Sequence, residues 1–277
     1  MNLSVIQNFR IINYKSTPYP HIVIKNALPN DVYKSLKNEY QLIINYLKKK
    51  NNFSLNNTRL QLNSINFLGL EEFKNTLWYD FIIYHTSKNF FLKLCEIFEK
   101  DLKKIYPDIY KIILKNKNEN NFISLRDNLY EKNSIFDFVS DCQPGINTPV
   151  WKESSVRGPH VDNPVELFGG LFYLKDEDDN AGGDLEIFSI NKDPLFEGKA
   201  EIANKKNLTL HSKVSYEENV FVIFLNSNKS IHGITSREKT QSTRNLINII
   251  FETYKYKKLF NLDRNKNFFA NFFKRFI

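Results

Sequence analysis

The chain has 277 residues, 42% of them hydrophobic and 25% charged, a globular composition that excludes a disordered or collagen-like polymer. It has no internal repeat and only nine glycines and nine prolines, which excludes a solenoid or long flexible linkers. Length alone then favours one large domain, or one catalytic core with an N-terminal extension. The formal charge is +8 and the pI about 9.2, yet the charge is uneven. Residues 151–190 carry nine acids against three bases, and residues 254–277 carry seven bases against one acid. A nucleic-acid partner would have to rest on the C-terminal segment, so none is expected; the lysine excess travels with Asn, Ile and Phe, as in an AT-rich genome. Cys95 and Cys142 are too few for a disulfide framework and read as buried, reduced thiols. The first residues lack an apolar leader and no run reaches the ~18 apolar residues of a membrane span, so a cytoplasmic protein without a span is expected.

In chain order, YPHIVIKNALPNDVYKSL alternates as a strand at residues 21–24 and then places Pro29 at a helix start, with Asn30 and Asp31 in the first turn. Val32, Leu36, Tyr40, Ile43 and Leu47 recur at spacings of three and four, which predicts an amphipathic helix ended by KKKNN. A second helix is predicted over 71–84. A third is striped by Phe91, Leu94, Phe98, Leu102 and Ile105 and stopped by Pro107. From residue 134 the period changes to two, in SIFDFVSDC, LFGGLFYL, DLEIF, NLTLHSKV, NVFVIFL, IHGITS and RNLINIIFETY. Strands this short and numerous, with no helix between them, indicate an antiparallel sandwich or barrel. The chain thus divides into a helical support region at 1–133, a strand-rich core at 134–254 and a basic segment at 255–277. In that last segment Phe269, Phe272, Phe273 and Phe276 form a helical stripe, read as packing on the sheet.

Of five histidines, only His160 lies two residues from a carboxylate in a polar turn between strands, in RGPHVDNP. On a strand positions i and i+2 face one way, so His160 and Asp162 can reach one divalent metal. His232, 72 residues later at the start of IHGITS, is the best candidate for a third ligand. Two imidazoles and one carboxylate on one octahedral face leave three positions open, which suits Fe(II) that activates oxygen rather than a closed zinc site. If 2-oxoglutarate fills two positions, Fe(II), one Asp and the dianion sum to −1, and the distal carboxylate needs a buried cation. Arginine matches a carboxylate in bidentate fashion and stays charged when dry. Arg244 opens the most apolar strand, RNLINIIF, where an unpaired guanidinium is costly; Arg237, in the polar turn SREKTQST, reads as a solvated surface residue. His21 and His85 read as packed or surface residues. His211 is the decoy, in a strand with no arginine close behind it.

These residues resemble the Fe(II)- and 2-oxoglutarate-dependent oxygenase superfamily, on its prolyl-4-hydroxylase-like branch. HVDNPVELFGGLFYLKDEDDNAGGDLEIF is similar to that branch's HxD strand, its YL strand and turn and its GG-x-L-x-I-F strand, and NSNKSIHGITSR…R to its distal-histidine segment and the arginine beyond. With YPHIVIKNALPNDV, the resemblance covers residues 17–47 and 134–254. It implies an α+β fold: a double-stranded β-helix (jelly-roll, cupin-like) core with N-terminal helices packed on the sheet. It also implies iron on His160, Asp162 and His232, and the distal carboxylate of 2-oxoglutarate on Arg244 and on the Tyr173 hydroxyl, with O2 as second cosubstrate. One departure stands out: where many relatives have the tyrosine of Y-x-P-G, this chain has Cys142 in CQPG, with Gln143 as a replacement contact. Because Asp162 is present, where halogenating relatives have a small residue, hydroxylation of a C–H bond with release of succinate and CO2 is the implied outcome.

The substrate is less legible. Trp151, Arg157, Asn163 and Glu166 flank HxD and are candidates for lining its mouth, while the acidic loop at 176–180 reads as a solvated turn. A small-molecule or sugar-containing substrate is expected, since no peptide-binding repeat is visible, with a peptidyl prolyl hydroxylase as the alternative. A cupin-like module that binds metal without turnover is the rival from another class. Nucleic-acid demethylation would need a basic, aromatic groove beside the iron, whereas the surroundings of HxD are acidic.

Overall fold

Helix and strand boundaries follow capping chemistry more closely than hydrophobic period alone. The computed structural model describes residues 2–263. Strands β1 (Tyr14–Lys15) and β2 (His21–Lys25) pair antiparallel and lead to α1 (Asn30–Lys50). Pro29 occupies its N-cap position, and Asp31 in the first turn and Lys48, Lys49 and Lys50 in the last complement its dipole. Its buried stripe contains Val32, Leu36, Tyr40, Ile43 and Leu47, as the spacing requires. Two short elements that the periodicity did not disclose follow, β3 (Arg59–Gln61) and α2 (Ser64–Leu68).

The helix expected over 71–84 is broken. A 3-10 turn at Glu71–Phe73 precedes α3 (Leu77–His85), because the Thr76 hydroxyl accepts from the Tyr79 N–H and fixes a new N-terminus. The next expected helix is likewise two, α4 (Lys88–Ile97), capped by Ser87, and α5 (Glu99–Ile105), with buried Phe98 at the joint. Pro107 ends α5 but also opens α6 (Pro107–Asn116) at its first turn, where a missing N–H is harmless. Then come β4 (Ile123–Leu125) and α7 (Tyr130–Asn133).

The remaining elements are β5 (Phe138–Asn147), β6 (Glu166–Tyr173), β7 (Leu185–Ile190), β8 (Phe196–Glu197), β9 (Glu201–Ile202), β10 (Leu208–Val214), β11 (Val220–Leu225), β12 (His232–Ile234) and β13 (Arg244–Glu252). The fold is mixed α+β with one large sheet. Eight strands run in the order β1-β2-β11-β6-β13-β5-β3, with β4 added parallel to β5. A second sheet has the order β10-β7-β12.

Strand alternation sorts the large sheet into two faces. Phe172, Phe221, Ile223, Ile247, Ile249 and Phe251 join Leu36, Phe81, Phe91 and Leu94 from the helices. Tyr173, Val222, Phe224 and Leu246 point the other way and meet Leu185, Ile187, Val214 and Ile234. The molecule therefore has three layers: helices, large sheet and small sheet. Each fully buried Leu, Ile or Phe contributes about 1.5–3 kcal/mol, so both interfaces are strongly held and the polar residues between the sheets sit on a rigid frame. Cys95 and Cys142 are free and buried. Among the described residues no helix is long and apolar enough to cross a membrane. The stripe of Phe269, Phe272, Phe273 and Phe276 lies outside the described residues.

Candidate active site

His160, Asp162 and His232 converge between the two sheets, each offering one ligand atom within 4.8 Å of the others. His160 is not in a strand. It forms isolated bridges to His232 and to Glu201, so the HxD segment is extended backbone leading into β6. Val161, between the two ligands, turns into a small apolar cluster with Phe196, Ala200, Ile202 and Ile231. That contact anchors the alternation and keeps both polar side chains on the cavity side. His160 and His232 exchange both backbone hydrogen bonds at 2.9 Å, which brings their rings to 4.3 Å between centroids.

The tautomers follow from the partners. Nδ1 of His160 donates to the Gly158 carbonyl at 2.7 Å, and Nδ1 of His232 donates to the Ser230 carbonyl at 2.9 Å. Both Nε2 lone pairs are therefore free. Each Nε2 lies 3.6 Å from one Asp162 oxygen, His160 from Oδ1 and His232 from Oδ2. Burial alone would raise the Asp162 pKa, but His232, His160 and Arg157 override it and hold the carboxyl well below the usual range. Burial brings His232 down to about 4 against the pull of Asp162. At pH 7 His232 is thus neutral and Asp162 anionic, the states in which such groups bind a divalent cation.

The second element is cationic. Arg244 opens β13 and is fully buried. Its Nε donates to the Gly183 carbonyl at 2.9 Å, and its guanidinium carbon lies 5.0 Å from the Tyr173 ring centroid and 4.8 Å from that of Tyr216. Nη1 and Nη2 of Arg244 and the Tyr173 hydroxyl are buried and have no hydrogen-bond partner. Three orphaned polar groups of this kind fit one missing carboxylate. Arg237 differs from expectation. It is fully buried, not solvated, and Nη2 lies 3.1 Å from both oxygens of Asp179, while Nη1 donates to the Gly182 carbonyl. Asp179, in the acidic loop read as a solvated turn, is its buried counter-ion. Its charge is matched; that of Arg244 is not, among the described residues.

A cavity of about 260 Å³ opens beside the trio, lined by His160, Asp162, His232, Arg157, Arg59, Gln61 and Asn248 among others. Of the four candidates for its mouth, Arg157 lines it. Trp151 donates to the Ser54 carbonyl away from it, Asn163 serves the turn before β6, and Glu166 is buried opposite Glu252. Burial, with Asp162 and Glu252 nearby, pushes the Glu166 carboxyl well up. Cys142 faces the helices, whereas Gln143 lies on the cavity-side face and bonds Gln61 and Asn248. His21 and His85 are buried on backbone partners, and His211 is exposed, outside the trio.

Sequence reasoning missed Arg59, Gln61, Asn248 and Tyr216. The available signal was the R-L-Q alternation in TRLQL, a polar–apolar–polar triplet whose Leu60 packs into the core while its neighbours face the cavity.

No protein-family model matches the chain, and no curated protein matches it in sequence. Among solved structures it is similar to a Pseudomonas putida prolyl-4-hydroxylase, at 12% identity and a TM-score of 0.39, over 84% of this chain and 92% of that one. It is also similar to the epimerase SnoN in complex with Fe3+, alpha ketoglutarate and nogalamycin RO, at 10% identity and a TM-score of 0.44, over 84% and 78%. A second structure of that non-heme alpha ketoglutarate dependent epimerase from nogalamycin biosynthesis gives 10% and 0.44, over 87% and 82%. In its motifs the chain resembles the Fe(II)/2-oxoglutarate oxygenase superfamily.

Proposed function

We propose that the chain is an Fe(II)- and 2-oxoglutarate-dependent dioxygenase that hydroxylates a C–H bond of a small-molecule or sugar-containing substrate. The observation that carries this reading is the pairing of two incomplete sites in one interior: a His160, Asp162 and His232 trio, and three orphaned polar groups on Arg244 and Tyr173. A metal-binding module without turnover would need the first and not the second. The finer description of the core as a double-stranded β-helix belongs to this reading, supported by the two facing sheets.

His160 and His232 would hold the metal through Nε2, oriented by Gly158 and Ser230, and Asp162 through its carboxylate. Arg244 and Tyr173 would clamp the distal carboxylate of the cosubstrate. The charges then balance, because a divalent metal, the Asp162 anion, a dianion and one guanidinium sum to zero. Bound Fe(II) and 2-oxoglutarate would supply oxidation by O2, coupled to release of succinate and CO2. The chain's own part is to keep that interior dry, through Phe224, Leu185 and Ile234, and to leave one cavity wall free for substrate.

Mass spectrometry of succinate tests this. Iron-loaded protein given 2-oxoglutarate and O2 should release succinate above a His232→Ala control, slowly without substrate. Equal release from both proteins would contradict the reading.

A further inference from the structure

The cavity wall opposite the trio carries polar groups with no role so far. Arg59 and Gln61 on β3 and Asn248 on β13 line the cavity, and β5 lies between these strands with Gln143 on the same face. Hydrogen-bond directions on this wall are fixed from behind. Arg126 Nη2 lies 2.8 Å from Asp141 Oδ2, so Asp141 is an anion that only accepts. Gln143 must then turn its amide nitrogen to Asp141, at 2.7 Å. Its carbonyl oxygen accepts from Gln61 Nε2 at 2.9 Å and from Asn248 Nδ2 at 3.1 Å. Among the described residues nothing donates to Gln61 Oε1 or Asn248 Oδ1, which are left as solvent-accessible acceptors on the cavity wall.

Arg59 is the complementary group. Its Nε donates to Asn147 Oδ1 at 2.8 Å, and no carboxylate among the described residues lies within ion-pair distance of its guanidinium. Burial, followed by the proximity of Arg244, lowers its pKa to about 10, so it is still cationic at pH 7. Arg157, the other arginine on the wall, already contacts Glu201 and Asp162. Once a metal, a dianionic cosubstrate, Asp162 and Arg244 have cancelled, Arg59 is the one positive charge of the cavity left without a match.

We propose that Arg59, Gln61 and Asn248 form the substrate-recognition wall, and that the substrate is a small monocarboxylate carrying a hydrogen-bond donor such as an ammonium, amide or hydroxyl group. The carboxylate binds Arg59 in bidentate fashion and the donor binds the two free amide oxygens. This deepens the oxygenase reading and rests on it. The cavity of about 260 Å³ is already below the roughly 300–1,000 Å³ of common ligand sites, and the metal and cosubstrate would take part of it, so only a small substrate fits.

Calorimetry on the full chain loaded with Mn(II) and 2-oxoglutarate tests the wall. The probes are the twenty common amino acids, their primary amides, and plain alkyl carboxylates without a donor. Wild-type protein that takes up neither Mn(II) nor 2-oxoglutarate refutes the underlying reading, and this is seen before any probe is added. With both bound, at least one amino acid should bind about tenfold or more tightly than its amide and than the alkyl acid nearest in size. Arg59→Gln should erase the preference for acid over amide, Arg59→Lys should keep part of it, and both should bind 2-oxoglutarate within about twofold of wild type. No acid binding, equal binding of acids and amides, or an Arg59→Gln protein that loses 2-oxoglutarate would each overturn the assignment. The last result would give Arg59 to the cosubstrate.

Discussion

Replacing each of the two buried arginines by methionine should produce opposite phenotypes. Arg237 and Asp179 are both fully buried and face each other at 3.1 Å. Arg237→Met leaves Asp179 as an uncompensated buried anion, which costs about 3–5 kcal/mol. For a chain of this size that lowers Tm by roughly 6–20 °C. Arg244 is equally buried, but its two terminal nitrogens have no partner. In the metal-free protein Arg244→Met therefore removes an unsatisfied charge and should leave Tm unchanged or raised. With Mn(II) present the order inverts. Arg244→Met loses a charge-assisted, bidentate contact worth about 2–5 kcal/mol, weakening 2-oxoglutarate about thirtyfold or more, whereas Arg237→Met should bind it nearly as wild type does. Thermal unfolding of the apo proteins and calorimetric titration with 2-oxoglutarate give both numbers. The reasoning fails if Arg244→Met destabilises the apo protein as much as Arg237→Met, or if the loss of 2-oxoglutarate follows Arg237.

Two further outcomes follow from buried groups. Burial lowers His85 to about 3, so it folds neutral while the unfolded chain protonates near 6.5. Its contribution is present above about pH 6.5 and is lost as pH falls toward 3; denaturant titrations should show that His85→Gln lowers the slope of stability against pH by roughly 1.4 kcal/mol per unit in that window. Gly183 has φ +96°, and a Cβ there would lie 2.9 Å from Arg244 Nε. Gly183→Ala should destabilise by about 1–3 kcal/mol and weaken 2-oxoglutarate binding, whereas Gly158→Ala, with open space around its Cβ, should do neither.

The strand-rich half was legible because alternation and the HxD spacing are local signals. His160 and Asp162 share a face through two residues of extended backbone, and Arg244 betrayed itself as a charge at the head of an apolar strand. What a single sequence hides is pairing. Arg237 looked solvated because its partner Asp179 is 58 residues away and sits in a loop whose neighbours are acidic. The broken helices at 71–85 and 88–105 show the same limit from another side: one hydroxyl cap at Thr76, or a turn at Phe98, divides a continuous apolar stripe without changing its period. Arg59 and Gln61 were missed for a third reason: their R-L-Q alternation spans a three-residue strand, too short to stand out in a window that measures period.

The most direct measurement is a crystal structure with Mn(II) and 2-oxoglutarate bound, read by anomalous scattering at the metal edge. The account predicts one metal per chain, bonded to Nε2 of His160, to the Asp162 carboxylate and to Nε2 of His232, with a cosubstrate carboxylate on Nη1 and Nη2 of Arg244 beside the Tyr173 hydroxyl. A metal held by His211 or His21, or a carboxylate seated on Arg237, would contradict it.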